Sequence, residues 1–286
     1  MRTTLTRRTW MSSTAAVLGT ASLAGKESLN SRWRPNYILS SALYGTATLP
    51  EILPEVAKTG ATSIDLWPQP HGTQREEIES CGVEQVQHLL EKHDVRLGGI
   101  ACYRPGAFKL DSEFAVARQL GDSETVLVTM APSNGTLSGK PLDAAIRAFL
   151  SKLSPAIKQA EEGAGVIAIE NHSKSLLNSP ESIRRFTTLV ESDRVGIALA
   201  PHHLPQDGNL LADLAGEAGP AVKFVYAQQY GKGSKEKLPK ADELLQLPGR
   251  GSLDFGPLMR QLAEMQFAGP VEIFMHPVPR GVPILN

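Results

Sequence analysis

From about residue 36 onward, short apolar runs alternate with longer stretches in which apolar residues recur every three or four positions. The short runs are typical of buried strands, and the longer spacing is typical of amphipathic helices that bury one face. Strands that alternate with helices in this way indicate stacked β-α units around a parallel sheet. Eight stretches qualify as strands: Tyr37–Leu43, Thr62–Trp67, Val95–Cys102, Thr125–Met130, Val166–Glu170, Val195–Leu199, Lys223–Gln228 and Val271–His276.

The helix candidates lie between these strands. Gln74–His93 and Leu142–Glu162 each carry one apolar stripe, which a helix needs in order to pack on the outside of a sheet. Ser179 is suited to cap a helix whose first residue is Pro180. The stretch 231–237 is polar and glycine-rich, and it predicts a mobile loop over a site rather than a helix.

These units predict a single α/β domain, a (β/α)8 or TIM barrel, over residues 36–286, because such barrels need about 250 residues. The main rival is a doubly wound open sheet, but no G-x-G-x-x-G motif follows the first strand. The only cysteines are Cys81 in a helical pattern and Cys102 at a strand end. They do not indicate a disulfide framework.

Residues 1–30 differ from the rest and predict a signal peptide with a linker. The pair Arg7-Arg8 precedes the small, weakly apolar run Ala15–Leu23, and Ala24 follows at a position suited to signal peptidase. This arrangement is typical of a twin-arginine translocation (Tat) signal, so we expect an exported, periplasmic protein. The apolar run is too short for stable membrane insertion.

The charge of the chain argues against nucleic acid as a partner. Lysine and arginine number 29 against 30 acidic residues, which gives a formal net charge of −1. A chain with this balance has no long-range field that would attract a polyanion. The same balance counts against a metal-dependent nuclease, which needs a basic groove.

Successive side chains of a barrel strand alternate between the helical shell and the interior. With the aliphatic residues placed outward, the positions predicted to face inward are Asp65, Trp67, Glu170, Tyr226, Gln228, Glu272, Phe274 and His276. Buried carboxylates are costly unless they are paired, hydrogen-bonded or metal-bound. Glu170, at the end of its strand, is therefore the best candidate site residue, whereas Asp65 and Glu272 lie deeper and suit a structural hydrogen bond equally well.

Five of the seven histidines fall at or just after strand ends, namely His71, His172, His202, His203 and His276. The carboxyl ends of barrel strands meet at one face, where TIM-barrel enzymes place their active sites. Neutral imidazoles there could bind a divalent metal or carry protons. His88 and His93 lie at the end of a helix pattern and are excluded.

Four segments together resemble the xylose-isomerase-like superfamily of sugar isomerases and epimerases, over nearly the whole predicted barrel. They are Val166–His172 (VIAIENH), Gly196–Leu204 (GIALAPHHL), Gly249–Phe255 (GRGSLDF) and Gly269–Ile273 (GPVEI). The resemblance implies a divalent metal held by a Glu, an Asp, a His and a second Glu, with the two glutamates moving a proton at a sugar carbon.

Carried over residue by residue, the family pattern fits only in part. Glu170 takes the first position and His203 the histidine, whereas Ala200 stands in place of the aspartate. The next ligand position offers Tyr226 or Gln228, and the last glutamate aligns with Glu272 or Phe274. The predicted metal ligands are Glu170, His203, Gln228 and His276, and the predicted catalytic residues are Glu170 and Glu272. With fewer carboxylates, the site favours Zn²⁺, Mn²⁺ or Fe²⁺ over Mg²⁺.

The resemblance implies metal-assisted proton transfer on a free saccharide or sugar derivative. The substrate contacts predicted beside the metal are Asp65, Trp67, His71, His172, His202 and Tyr226. The alternative is a non-catalytic carbohydrate-binding barrel whose metal site has degenerated, for which Ala200 and the segment Tyr226–Gln229 are the evidence.

Replacing Arg7 and Arg8 by lysines should block export, because the twin-arginine pair is the feature that a Tat receptor recognises. Cell fractionation and immunoblotting measure the outcome, with Arg32→Lys/Arg34→Lys as a control that makes the same chemical change outside the motif. Normal amounts of the Arg7→Lys/Arg8→Lys protein in the periplasm would show that the Tat assignment is wrong.

Overall fold

A computed structural model describes residues 33–285, so the predicted signal segment lies outside the described residues. Eight parallel strands close into a barrel in chain order, with β8 paired to β1. The predicted TIM barrel is therefore confirmed. The strands are β1 (Asn36–Ser40), β2 (Ser63–Leu66), β3 (Arg96–Ala101), β4 (Val126–Met130), β5 (Val166–Glu170), β6 (Val195–Leu199), β7 (Val222–Ala227) and β8 (Pro270–Ile273).

The helices α1 to α9 surround this barrel. They are α1 (Leu49–Val56), α2 (Gln74–Cys81), α3 (Val83–Lys92), α4 (Asp111–Leu120), α5 (Gly139–Gln159), α6 (Pro180–Leu189), α7 (Gly208–Ala218), α8 (Lys240–Glu243) and α9 (Gly256–Glu264). The Ser179 hydroxyl accepts a hydrogen bond from the Ser182 amide and caps α6 as predicted. Within residues 33–285, no helix is both long enough and apolar enough to cross a membrane.

One predicted helix is divided. The stretch predicted as Gln74–His93 forms α2 and α3, which meet at Gly82 with a φ of +86°. That backbone conformation is easy only for glycine and cannot continue a right-handed helix. Residues 231–237, predicted to be a loop, contain a short turn at Lys232–Ser234.

The side chains alternate along the strands as predicted. The barrel interior is filled by a cluster of buried residues that includes Trp67, Tyr226 and Phe274 together with Ala168, Ala198 and Ala200. Strand residues of the opposite parity pack under the helices. Ile64, Leu66 and Ile167 are fully buried examples. Large side chains and alanines thus share one narrow interior.

The chain after β8 forms no helix within the described residues. It crosses the mouth of the barrel instead, where Tyr44 pairs with Pro283 and the Ile284 amide donates to the Leu43 carbonyl at 2.9 Å. Because no helix covers β8 from outside, Ile273 remains 42% exposed, although its parity points it away from the interior. We call residues 277–284 the C-terminal strap.

A pair of carboxyl groups lies inside the barrel, below the aromatic residues. Asp65 and Glu272 are both fully buried on the two strands that flank β1, and no cation of residues 33–285 pairs with them. Burial raises the pKa of Asp65 to about 6, and burial together with the nearby Asp65 charge raises the pKa of Glu272 well above its usual value. The Trp67 indole and the Ser40 hydroxyl offset this only in part.

These raised pKa values should make the fold less stable as the pH rises from about 4 through 6 and beyond. The carboxyl groups ionise near pH 4 in the unfolded chain. In the folded chain they must either stay protonated or carry a buried charge, and both cost free energy above pH 4, so folding becomes less favourable as the pH rises. Glu272→Gln should therefore raise the free energy of unfolding at pH 8 by about 1–3 kcal/mol, since each pKa unit corresponds to about 1.4 kcal/mol.

Denaturant unfolding at pH 5 and pH 8 measures this gain, which should be smaller at pH 5. Glu264→Gln, an exposed change on α9, is the matched control and should alter neither value. A Glu272→Gln protein that loses stability equally at both pH values would contradict the assignment of a proton-sharing pair.

Candidate functional site

A cavity of about 270 Å³ opens at the carboxyl ends of the strands. A larger cavity of about 670 Å³ lies at the opposite mouth, lined by residues around the strand starts such as Asn36 and Pro270. TIM-barrel enzymes place their active sites at the carboxyl end, and the described titratable cluster lies there as well. We therefore take the smaller cavity as the candidate site.

Glu170, His202 and His203 form a compact group in this cavity. The Glu170 Oε1 atom lies 3.6 Å from His203 Nε2 and 3.9 Å from His202 Nε2. One ligand atom from each of the three residues falls within 4.8 Å of the others. All three side chains are largely buried, so each group is held by its surroundings rather than by solvent.

The local sequence explains how two successive histidines reach this group. β6 ends at Leu199, and the short turn Pro201–His203 then directs both imidazoles to the rim. The Asn171 amide fixes this turn, because its Oδ1 accepts from the Ala200 amide at 2.8 Å and its Nδ2 donates to the Ala200 carbonyl at 2.9 Å. The end of β6 is thereby fastened to the end of β5, beside Glu170.

Burial controls the charge of Glu170. It raises the pKa of this carboxyl group to about 8, and a hydrogen bond from the Tyr103 hydroxyl offsets part of the rise. The Tyr103 hydroxyl also lies 2.9 Å from the Tyr226 hydroxyl. Burial raises the pKa of both tyrosines well above the usual value, so both keep their protons and can donate hydrogen bonds.

The histidines at the site are neutral at physiological pH. Burial lowers the pKa of His203 to about 3 and of His71 to about 4, and nearby cationic side chains add to the effect. The pKa values of His172, His202 and His276 are lowered as well, mainly by burial. Neutral imidazoles have a free nitrogen lone pair, which is the form that binds metals.

The opposite wall of the cavity is aromatic. The Trp67 and Phe274 rings are stacked, with centroids 4.6 Å apart and planes at 11°. Tyr103 packs against Trp67 with centroids 5.3 Å apart. The cavity therefore combines an apolar wall with a polar one, as small-molecule sites commonly do.

Most residues predicted for the site line this cavity: Trp67, His71, Glu170, His172, His202, His203, Tyr226 and His276. Three do not. Gln228 lines the adjoining cleft and donates to Gln246 Oε1 at 3.0 Å, while Asp65 and Glu272 lie beneath the aromatic wall. Phe274, which directly follows β8, lines the cavity, whereas Glu272 has the same inward parity but lies one step deeper in the barrel.

The structure also groups the predicted ligands differently. Only Glu170 and His203 of the predicted set belong to the compact group, and His202, predicted as a substrate contact, takes the third place. The turn at Pro201 accounts for this, since it breaks the strand alternation. The sequence reasoning missed Tyr103, which the rule of strand ends could have found, and Arg280, which lies on the C-terminal strap and carries no local signal.

The donor group fits a divalent metal in composition and spacing. One carboxylate with two imidazoles is a combination used by catalytic zinc and iron sites. Ligand atoms of a tetrahedral zinc site lie about 3.3–3.6 Å apart, given bonds of roughly 2.0–2.2 Å. The separations of 3.6 and 3.9 Å at Glu170 are close to that range.

A model of the xylose isomerase-like TIM barrel family matches residues 53–282 of the sequence. A search of curated protein sequences returns no significant match.

Several solved structures share the fold. A D-tagatose 3-epimerase-like protein is 16% identical with a TM-score of 0.60, covering 87% of this chain and 94% of its own. The IOLI protein, solved with a bound zinc atom, is 17% identical with a TM-score of 0.62, covering 86% and 91%. The 3-keto-D-glucoside 4-epimerase YcjR from E. coli is 14% identical with a TM-score of 0.60, covering 85% and 93%. At these identities the likeness establishes the fold.

Proposed function

Because the chain belongs to the xylose isomerase-like TIM barrel family, we propose that it is an exported sugar isomerase or epimerase acting on a free saccharide or saccharide derivative. The observation that carries this proposal is the buried Glu170 beside two neutral imidazoles in a cavity at the carboxyl end of the barrel. The names of the similar structures, two of which refer to sugar epimerases, support the same class of reaction.

Glu170 is the proposed base. In an isomerisation, its carboxylate removes a proton from the hydroxyl-bearing carbon next to a substrate carbonyl and returns it to the carbonyl carbon, while the proton of that hydroxyl group passes to the carbonyl oxygen. An epimerisation needs a second proton donor on the opposite face of the same carbon. The carbonyl oxygen gains negative charge as the proton leaves. Tyr103 donates its hydroxyl proton to Glu170, so we infer that the Tyr226 hydroxyl group, which also keeps its proton and lies 2.9 Å from that of Tyr103, is the tyrosine donor to that oxygen.

The residues that would hold a divalent metal are Glu170, His202 and His203. A bound metal would supply Lewis-acid polarisation of the substrate carbonyl and would favour the ionised form of Glu170. With one carboxylate and two imidazoles, we infer a preference for Zn²⁺, Mn²⁺ or Fe²⁺ over Mg²⁺. The zinc atom of the similar IOLI structure supports this inference.

Trp67 and Phe274 provide the proposed sugar-binding wall. Their stacked rings offer a flat apolar surface to the C–H face of a pyranose, while the imidazoles and tyrosines face its hydroxyl groups. This wall also supports the second candidate function, a carbohydrate-binding barrel without catalysis. That alternative is favoured by the presence of Phe274 where a second acid–base group would complete an epimerase site.

Substitution of single ligands should reveal which residues bind a metal. His202→Gln and His203→Gln should each weaken Zn²⁺ binding at least about tenfold, because each removes one of three donors. His276→Gln should leave the affinity unchanged, since His276 lines the cavity outside the donor group. Calorimetric titration of the dialysed protein measures these affinities. Loss of binding in His276→Gln but not in His202→Gln would contradict the assignment.

Glu170→Gln tests the catalytic half of the proposal. It keeps the volume but removes both the base and the negative charge, so exchange of a sugar α-proton with solvent deuterium should fall by about 10²–10⁴-fold. Proton NMR in D2O over a panel of aldoses, ketoses and keto-glycosides measures exchange. Glu236→Gln, an exposed change outside the cavity, is the control. Sugar binding by the unsubstituted protein without any exchange would favour the non-catalytic alternative.

A further inference from the structure

A second cleft of about 730 Å³ adjoins the candidate active site. The two cavities share five lining residues, namely His172, His202, His203, His276 and Arg280. A shared wall of this extent means that a molecule seated against Glu170 can extend directly into the cleft. The cleft is therefore part of the space available to a substrate.

The charged residues of this cleft are all cationic. Lys174 follows β5, Lys235 follows β7, and Arg280 lies on the C-terminal strap, so three separate segments bring positive charge to one cleft. No aspartate or glutamate lines the cleft among the residues that the structure describes. For a chain with nearly equal numbers of acidic and basic residues, this is a local imbalance that the composition does not explain.

Two lysines close to Lys235 in the sequence share one carboxylate. Lys237 and Lys240 both pair with the Glu243 carboxylate, at 3.1 and 3.0 Å. Lys235 instead lies over the Tyr230 ring, 5.5 Å from its centroid, and forms no ion pair in the described part of the chain. The segment thus supplies a carboxylate to two lysines and leaves the one that lines the cleft without an anion.

Arg280 is the most firmly placed of the three cations. Its guanidinium donates to the Pro277 carbonyl at 3.0 Å and to the Ser234 carbonyl, and no carboxylate of residues 33–285 pairs with it. Neutral carbonyls hold the group in position but leave its charge uncompensated. Since a guanidinium has five N–H donors in a fixed plane, donors remain for an oxyanion.

We propose that this cleft binds an oxyanion carried by the substrate, so that the sugar transformed at Glu170 is an acidic one, with a carboxylate or a phosphate ester. The substrate class rests on the proposed function, whereas the anion-binding cleft does not. Arg280 lines both cavities and lies where the anionic group would meet the sugar ring. Lys174 and Lys235 enclose the outer part of the cleft and strengthen the field there.

The charge of the donor group is compatible with such a substrate. Glu170 is its single carboxylate, and Ala200 places no second negative charge beside it. The other two carboxyl groups of the interior, Asp65 and Glu272, are fully buried and do not line the cleft. An anion in the cleft therefore meets three cations and little opposing charge.

Calorimetric titration with matched sugars tests the proposal. The purified, Zn²⁺-supplemented protein is titrated with D-glucose and D-glucuronate, with D-galactose and D-galacturonate, and with D-glucose 6-phosphate. We expect at least one acidic sugar to bind about tenfold or more tightly than its neutral counterpart, as a charge-assisted hydrogen bond to arginine provides. Raising the salt concentration should reduce the difference, because the lysines are exposed.

Variants identify the source of any difference. Lys174→Gln/Lys235→Gln and, separately, Arg280→Gln should each remove most of the preference for the acidic sugar, and the lysine double variant should leave the affinity for the neutral sugar unchanged. Lys92→Gln/Lys140→Gln makes the same charge change on α3 and α5, outside both cavities, and should keep the preference. Tighter binding of a uronate would identify a carboxylate as the ligand group, and tighter binding of the phosphorylated sugar would identify a phosphate ester.

Equal affinities within every pair, failure of all acidic sugars to bind, or an equal loss in the control variant would overturn the proposal. The deuterium-exchange assay separates this result from the proposed reaction. Selective binding of acidic sugars without deuterium exchange would support the anion-binding cleft and contradict the proposed isomerase reaction. Exchange without selective binding would support the reaction and contradict the anion-binding cleft.

Discussion

The volume inside the barrel is the constraint on which the rest of this structure depends. Eight strands in a closed ring leave room for few large side chains, and Trp67, Tyr226 and Phe274 all point inward. They fit because Ala168 and Ala198 lie on β5 and β6 in the same cluster. The alanines of β5 and β6 thus leave room for the aromatic side chains on the other side of the barrel. Those aromatic side chains line the cavity.

The same packing separates two acidic environments that differ in their neighbouring groups and in their access to the cavity. On the cavity side of the aromatic residues, Glu170 lies beside imidazoles. Deeper in the barrel, Asp65 and Glu272 are fully buried. Burial raises the pKa in both places. Only the upper carboxyl group has donors beside it that could share a metal and space beside it for a ligand. A shifted pKa therefore marks a site here only when it is combined with an opening.

Much of this arrangement could be predicted from the sequence, because strand alternation is a rule with a period of two. It placed Trp67 and Glu170 inside the barrel, and the separate rule that the carboxyl ends of parallel strands meet at one face put the five histidines at one rim. The alternation rule no longer applies beyond the strand ends, where local turns determine the direction of each side chain. The turn at Pro201 brings His202 beside Glu170, and the hydrogen bond to Gln246 draws Gln228 into the neighbouring cleft. Neither contact follows from periodicity, since each depends on residues far apart in the chain.

Within residues 33–285, the C-terminal strap follows the last strand of the barrel, and no helix does. It is held to the mouth mainly by backbone hydrogen bonds, such as that from Ile284 to Leu43 and that from the Thr46 amide to the Gly281 carbonyl. The backbone bonds of the strap place little restriction on its side chains except at Gly281, whose φ of +77° favours glycine, so the strap can vary in sequence at its other positions. Because it also carries Arg280, a segment outside the barrel proper can change which ligands are accepted while the fold, its packing and the proposed chemistry at Glu170 are inherited intact.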